Sequence, residues 1–110
     1  MIQKAVIFYM IHMKKISRLH KPGTCFVFYE PTDGMITQAE RDRVGLNILS
    51  RYSVTTESTI ASDRKQMPIP VSSEGRTFEG WYTEDGERVD ENTQILDDVG
   101  LYAHWGQPAE

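Results

Sequence analysis

The chain has 110 residues, of which 39% are apolar and 25% are charged, and its formal net charge at pH 7 is −4. This length and balance are typical of one soluble globular domain with a modest core, and they exclude a wholly disordered chain. The lone cysteine, Cys25, excludes an internal disulfide and any zinc site built from several cysteines.

The charge is unevenly distributed along the chain. Residues 1–28 carry five lysines and arginines and no acid, whereas residues 79–98 carry eight acids against the single cation Arg88. A surface with this excess of acid would repel a phosphate backbone, so nucleic acid is not an expected partner.

The amino-terminal part, residues 1–24, is predicted to be a basic arm with a strand at residues 5–11. That apolar run is too short to span a bilayer, and no small-residue cleavage pattern follows it. We therefore expect no membrane span and see no export signal, which would allow a cytoplasmic location. A single domain is predicted over residues 25–105, followed by a flexible tail at residues 106–110.

The first predicted elements of the domain are a strand at residues 25–30, a turn at residues 31–34 and a helix. Thr37 followed by Glu40 has the pattern of a capping box, and apolar residues recur at spacing four from Val44 onward. These features predict a helix over about residues 37–51 that packs on a sheet and contains Gly45.

The rest of the domain has the composition of β-structure, with β-branched and aromatic runs separated by glycine, proline and acidic turns. We predict a strand at 53–60, a loop at 61–66, an extended segment at 67–70, a strand at 76–83, a turn at 84–86, a short strand at 87–89 and a last strand at 100–105.

Side-chain alternation assigns residues of the last strands to the two faces of the sheet. In the predicted strand at 76–83, Phe78 and Tyr82 share one face and Trp81 points to the other. In the last predicted strand, Tyr102 and His104 lie opposite Leu101 and Trp105. Both faces would then be partly apolar, so one packs on the helix and the other is covered by loops or a partner. The predicted structural core comprises Phe78, Trp81, Tyr82, Leu101 and Trp105.

Three motifs, MPIP at 67–70, GRTFEGWY at 75–82 and LYAHW at 101–105, follow one another in an order that resembles the internalin-type B repeat, also called the Listeria–Bacteroides repeat. The resemblance covers about residues 67–105. It implies a small β-grasp-like α+β fold and a role as a spacer or adhesion module in secreted or surface proteins, without enzymatic activity. Arg76 departs from the pattern, since an aromatic residue usually stands there.

Catalytic alternatives have little support in the sequence. His12, His20 and His104 are far apart and fit no metal-ligand spacing. Neighbouring acids such as Asp97 and Asp98 point to opposite sides of an extended chain, which is poor geometry for acid–base catalysis. We therefore expect that the protein has no enzymatic activity, binds no cofactor and has no metal site.

Two hypotheses of function follow. In the first, the chain is a protein-binding or adhesion module that uses an exposed sheet face or edge, with self-association through an edge strand as a related outcome. In the second, it is an intracellular or phage-encoded acidic inhibitor that docks on a basic groove of a host protein such as a nuclease. The partner is a protein of unknown identity in both. The candidate partner-binding residues are Glu84, Asp85, Glu87, Asp90, Glu91, Asp97, Asp98, Tyr102 and His104.

Overall fold

The computed structural model describes residues 23–108. The predicted strand at residues 5–11 and nearly all of the basic arm lie outside the described residues, as do residues 109–110 of the predicted tail. The elements in chain order are β1 (Thr24–Glu30), α1 (Gln38–Val44), β2 (Arg51–Thr55), β3 (Ser58–Thr59), β4 (Arg76–Tyr82), β5 (Arg88–Val89), β6 (Gln94–Ile95) and β7 (Val99–Pro108).

Five of these strands form one mixed sheet in the order β2-β1-β7-β4-β5. β1 and β7 run parallel, with Val27 beside Val99, and the other neighbours pair antiparallel. β3 and β6 form a separate two-stranded sheet. The predicted α+β class, a small mixed sheet with one helix, is confirmed.

Helix α1 begins as predicted but ends earlier. Thr37 is its N-cap and accepts a hydrogen bond from the N–H of Glu40 at 3.2 Å. The prediction of a helix over residues 37–51 is wrong, because Gly45 adopts a φ of 82° and ends the helix in the left-handed conformation after Val44. The Glu40 carboxylate accepts a hydrogen bond from the N–H of Ile69 at 2.7 Å, so it ties the helix to the proline segment.

The apolar residues that were assigned to the rest of the helix occupy other environments. Ile48 and Leu49 lie in the loop after α1 and are 91% and 50% exposed, whereas Tyr52 belongs to β2 and is buried. Their spacing of four residues therefore came from a loop and a strand, and only Val44 is buried on the helix itself.

The single strand predicted at residues 53–60 is divided into β2 and β3. The chain turns between them at Thr56 and Glu57, and Glu57 adopts a positive φ of 68°. β6 was not predicted, because two residues are too short to show a strand pattern. β7 runs on to Pro108, through three residues that had been predicted to belong to a flexible tail.

The core packs against one face of the five-stranded sheet. Trp81 and Leu101 are almost fully buried there, together with Ile60 from the turn after β3. The indole N–H of Trp81 donates to the backbone carbonyl of Pro68 at 2.9 Å, so the extended proline segment covers this face and satisfies the one polar atom of the indole.

Phe78 lies on the core face, which corrects the predicted alternation. Its ring centroid is 5.4 Å from that of Trp81 and 5.7 Å from that of Trp105, in edge-to-face geometry. The register between β4 and β7 shifts on both sides of Phe78, and such bulges turn a side chain to the opposite face.

Within residues 23–108, no helix has both the length and the apolar character that crossing a bilayer requires.

Candidate functional site

Three of the predicted partner-binding acids stabilise the fold. The Asp98 carboxylate accepts a hydrogen bond from the N–H of Phe26 at 2.8 Å, and the Glu91 carboxylate accepts one from the N–H of Met67 at 3.1 Å. Asp90 accepts from the N–H of Asn92 at 2.8 Å and closes the turn after β5. Each of these carboxylates satisfies a backbone donor, so its first role is structural.

Three other acids lie in the tight turn between β4 and β5, which we call the acidic hairpin. Glu84, Asp85 and Glu87 are exposed there, and the turn is closed by hydrogen bonds from the Thr83 N–H to the Glu87 carbonyl at 2.8 Å and from the Glu87 N–H to the Thr83 hydroxyl at 3.1 Å. Gly86 supplies the positive φ of 91° that the turn requires. These hydrogen bonds use no carboxylate, so the three acids remain available to solvent or to a partner.

A groove of about 240 Å³ runs between the acidic hairpin and the segment that joins β6 to β7. We call it the acidic groove. Among residues 23–108, its charged lining residues are Glu87, Asp97 and Asp98, and no lysine, arginine or histidine of that range lines it. Its apolar lining includes Leu96, which is 63% exposed, although Ile95 beside it is buried.

Leu96 was not among the partner-binding residues predicted from the sequence. A single leucine between a buried isoleucine and two acids shows neither helical nor strand periodicity, so no pattern separates it from a core residue. The structure exposes it because β6 ends at Ile95, and the chain then turns towards β7.

Tyr102 and His104 do not line the acidic groove. Tyr102 pairs with Tyr82 across β4 and β7, whose core-facing neighbours are Ala103 and Trp81, so both tyrosines lie on the face opposite the core. His104 is exposed, and its ring stacks on that of Tyr82 at a centroid distance of 3.7 Å. The predicted residues therefore do not form one site, because Glu87, Asp97 and Asp98 line the groove whereas Tyr102 and His104 lie on a sheet face.

Burial controls the ionisation of Tyr102 and Cys25. Tyr102 is only 4% exposed, and burial, with further contributions from Glu84 and Glu30, raises its pKa to about 12. Burial also raises the pKa of the Cys25 thiol, and the acids Asp98, Asp97 and Asp63 act in the same direction. A buried thiol with a raised pKa is a packing residue and a poor nucleophile.

No cluster of three or more His, Cys, Asp and Glu side chains suited to a metal ion occurs in the part of the chain that the structure describes.

Comparisons of the chain with protein-family models, with curated proteins and with solved structures find no match. The resemblance of residues 67–105 to the B repeat therefore rests on its motifs and remains an expectation.

Proposed function

We propose that this protein is a non-enzymatic protein-interaction module, as the B-repeat resemblance implies, and that its acidic groove binds a basic and apolar segment of a partner. Leu96 is the observation that carries the proposal, because it is 63% exposed in a groove whose charged lining residues, within the part of the chain that the structure describes, are all acids. An exposed apolar side chain bordered by charge of one sign favours a partner with an apolar side chain flanked by lysine or arginine.

The acidic hairpin favours a second candidate, an acidic inhibitor or regulator that docks on a basic groove of another protein. Glu84, Asp85 and Glu87 are exposed, and neither of the salt bridges recorded among residues 23–108 involves them. The two candidates differ in how binding depends on salt. Docking through the hairpin charges weakens steeply as salt rises, whereas docking through Leu96 retains most of its affinity.

Peptides selected from a random phage-displayed library against the full chain test the proposal. We expect recovered peptides to combine lysine or arginine with a leucine, isoleucine or aromatic residue. Leu96→Ser and Glu87→Lys should each weaken their binding about tenfold, or about 1.4 kcal/mol, because one removes apolar contact area and the other reverses an attractive charge. Isothermal titration of the purified variants measures the change.

Asp33→Lys is the matched control, because Asp33 is an exposed acid in the turn after β1 and does not line the groove. It should leave peptide affinity within about twofold of the native value. Asp98 is unsuitable for charge reversal, since its carboxylate accepts the Phe26 N–H. Equal losses from Asp33→Lys and Glu87→Lys would mean that only net charge matters, and selected peptides without cations would contradict the proposed site.

A further inference from the structure

The face of the five-stranded sheet that points away from the core carries aromatic side chains of its own. Phe26 and Phe28 alternate with the core residue Val27 along β1, and Tyr102 lies beside Glu30 in the register of β1 with β7. We call this surface the outer face. Phe26 and Phe28 are half-buried, with ring centroids 6.2 Å apart, and among residues 23–108 neither belongs to the core cluster. The outer face is therefore an apolar surface separate from the core.

A cavity of about 230 Å³ lies where the ends of β1 and the start of β7 meet the loop after α1. Gly100 lies beside Phe28 in the sheet register and has no side chain, and both residues line the cavity together with Tyr102. Ile48 and Leu49 complete its apolar lining from the loop, and both are exposed. Apolar surface of this kind marks a place where another segment packs.

Tyr102 is buried on the outer face. Its side chain is 4% exposed, although the residue does not belong to the core cluster. Its neighbours across the adjacent strands, Glu30 and Tyr82, are only half-buried. Burial to this degree requires packing on several other residues, so the outer face is covered where Tyr102 lies.

The amino-terminal part of the chain contains a segment of suitable length and composition. Residues 5–11, AVIFYMI, are the longest apolar run in the sequence and lie outside the described residues. They equal β1 in length, because β1 has seven residues and spans about 23 Å. The connector, residues 12–22, has eleven residues and extends up to about 36 Å, so it can place the apolar run anywhere along β1.

The backbone at the start of β1 favours a return of the chain along that strand. Gly23 lies in a turn and adopts a positive φ of 89°. Pro22 precedes it, and proline followed by glycine with positive φ is the pattern of a type II turn, which reverses the chain direction.

The charges at the start of β1 attract the connector. Residues 12–22 contain four lysines and arginines and no acid. Asp98 accepts the N–H of Phe26, and Asp63 accepts the N–H of Thr55, which pairs with Thr24. Both carboxylates therefore lie where the connector enters the sheet, and attraction between unlike charges keeps the connector beside β1.

We propose that residues 5–11 of this chain fold back over the outer face and pack on Phe28 and Tyr102. A second copy of the chain is a weaker competitor for this surface, because a segment tethered by eleven residues has an effective concentration in the millimolar range. The contact would make the outer face an internal surface of the protein. A partner would then reach Tyr102 only after displacing residues 5–11, whereas the acidic groove would stay open.

Nuclear Overhauser contacts in the isotope-labelled full chain test the proposal. We expect contacts from the side chains of residues 5–11 to the rings of Phe28 and Tyr102. They should persist on dilution, because the segment and the face belong to the same molecule. A sample that mixes labelled and unlabelled chain should show no such contact between different copies.

Replacing Ile7 and Phe8 together, as Ile7→Ser with Phe8→Ser, removes an apolar side chain from each side of the segment. The contacts to Phe28 and Tyr102 should disappear, and the unfolding equilibrium constant in urea should rise about tenfold or more, because apolar area on the outer face returns to water. The indole N–H signal of Trp81 reports whether the core is intact, since it donates to the Pro68 carbonyl. Ile2→Ser with Gln3→Ser is the control outside the segment and should change the constant by less than about twofold.

The contacts of the native chain decide the result even if the double variant fails to fold. Their absence overturns the proposal, as does their appearance only between different copies in the mixed sample, which would assign the outer face to a second copy. Equal losses of stability in the variant and the control would also contradict it. Peptide binding by the acidic groove is measured separately and is informative in each case.

Discussion

Replacing Trp81 with alanine is expected to lower the free energy of unfolding by about 3–5 kcal/mol. The side chain is 2% exposed, and its ring packs edge to face against those of Tyr29, at 4.9 Å, and Phe78, at 5.4 Å. Alanine removes these contacts and leaves the Pro68 carbonyl without the indole donor. Because domains of this size have a total stability of about 5–15 kcal/mol, urea denaturation should show a large shift of the midpoint.

Trp105→Ala provides the matched comparison. Trp105 is only partly buried, and its indole N–H donates to the Pro31 carbonyl and the Thr32 hydroxyl, each at 2.9 Å, near the surface. We expect this variant to lose clearly less stability than Trp81→Ala, because less apolar area returns to water. Equal losses at the two positions, or a loss below about 1 kcal/mol at Trp81, would contradict the described core.

The second large effect is expected at alkaline pH and arises from Tyr29 and Tyr52. Their hydroxyls are 2.5 Å apart, and the Tyr52 hydroxyl donates to the Gln66 carbonyl at 2.8 Å. Since Tyr52 has one hydroxyl hydrogen, Tyr29 must be the donor between the two. Burial raises the pKa of both groups, that of Tyr52 to about 12, and the neighbouring Tyr52 adds to the shift at Tyr29.

The sign of the pH dependence follows from these raised pKa values. An unfolded tyrosine ionises near pH 10, whereas the folded pair holds its protons at higher pH, so the unfolded state releases protons first. The stability from this pair is complete below about pH 10 and falls by about 1.4 kcal/mol per pH unit for each tyrosine as pH rises towards the folded pKa values. Urea denaturation at several pH values between about 9 and 12 should show this loss.

Tyr29→Phe isolates the contribution of the pair. Phenylalanine keeps the ring packing on Trp81 and leaves the Tyr52 hydroxyl bonded to the Gln66 carbonyl. We expect a loss of about 1 kcal/mol near neutral pH and a shallower decline of stability above pH 10 than in the native chain. An unchanged slope in this variant would show that Tyr29 ionises normally in the folded protein.

Much of the strand architecture could be predicted from local sequence. Alternation and turn residues located β1, β4 and the acidic hairpin, because each depends on neighbours close in the chain. The helix end was missed because Gly45 can either interrupt a helix or terminate one, and only the conformation after Val44 decides between them. The face of Phe78 was missed because bulges break the two-residue period without a sequence signal.

The candidate site was harder to predict than the fold, because carboxylates look alike in a sequence. Asp98 binds a backbone N–H of Phe26, which is 72 residues away, whereas Glu87 is exposed in a turn. Only the fold separates the acids that satisfy buried donors from those that face solvent.

The parallel pairing of β1 and β7 has a mechanical consequence. β1 begins at Thr24 and β7 ends at Pro108, so these neighbouring strands carry the two ends of the described domain. Tension applied between those ends would slide the strands past each other lengthwise, and their interstrand hydrogen bonds would bear the load together instead of opening one after another. This arrangement resists extension along that axis more strongly than a hairpin that is pulled apart from its open end.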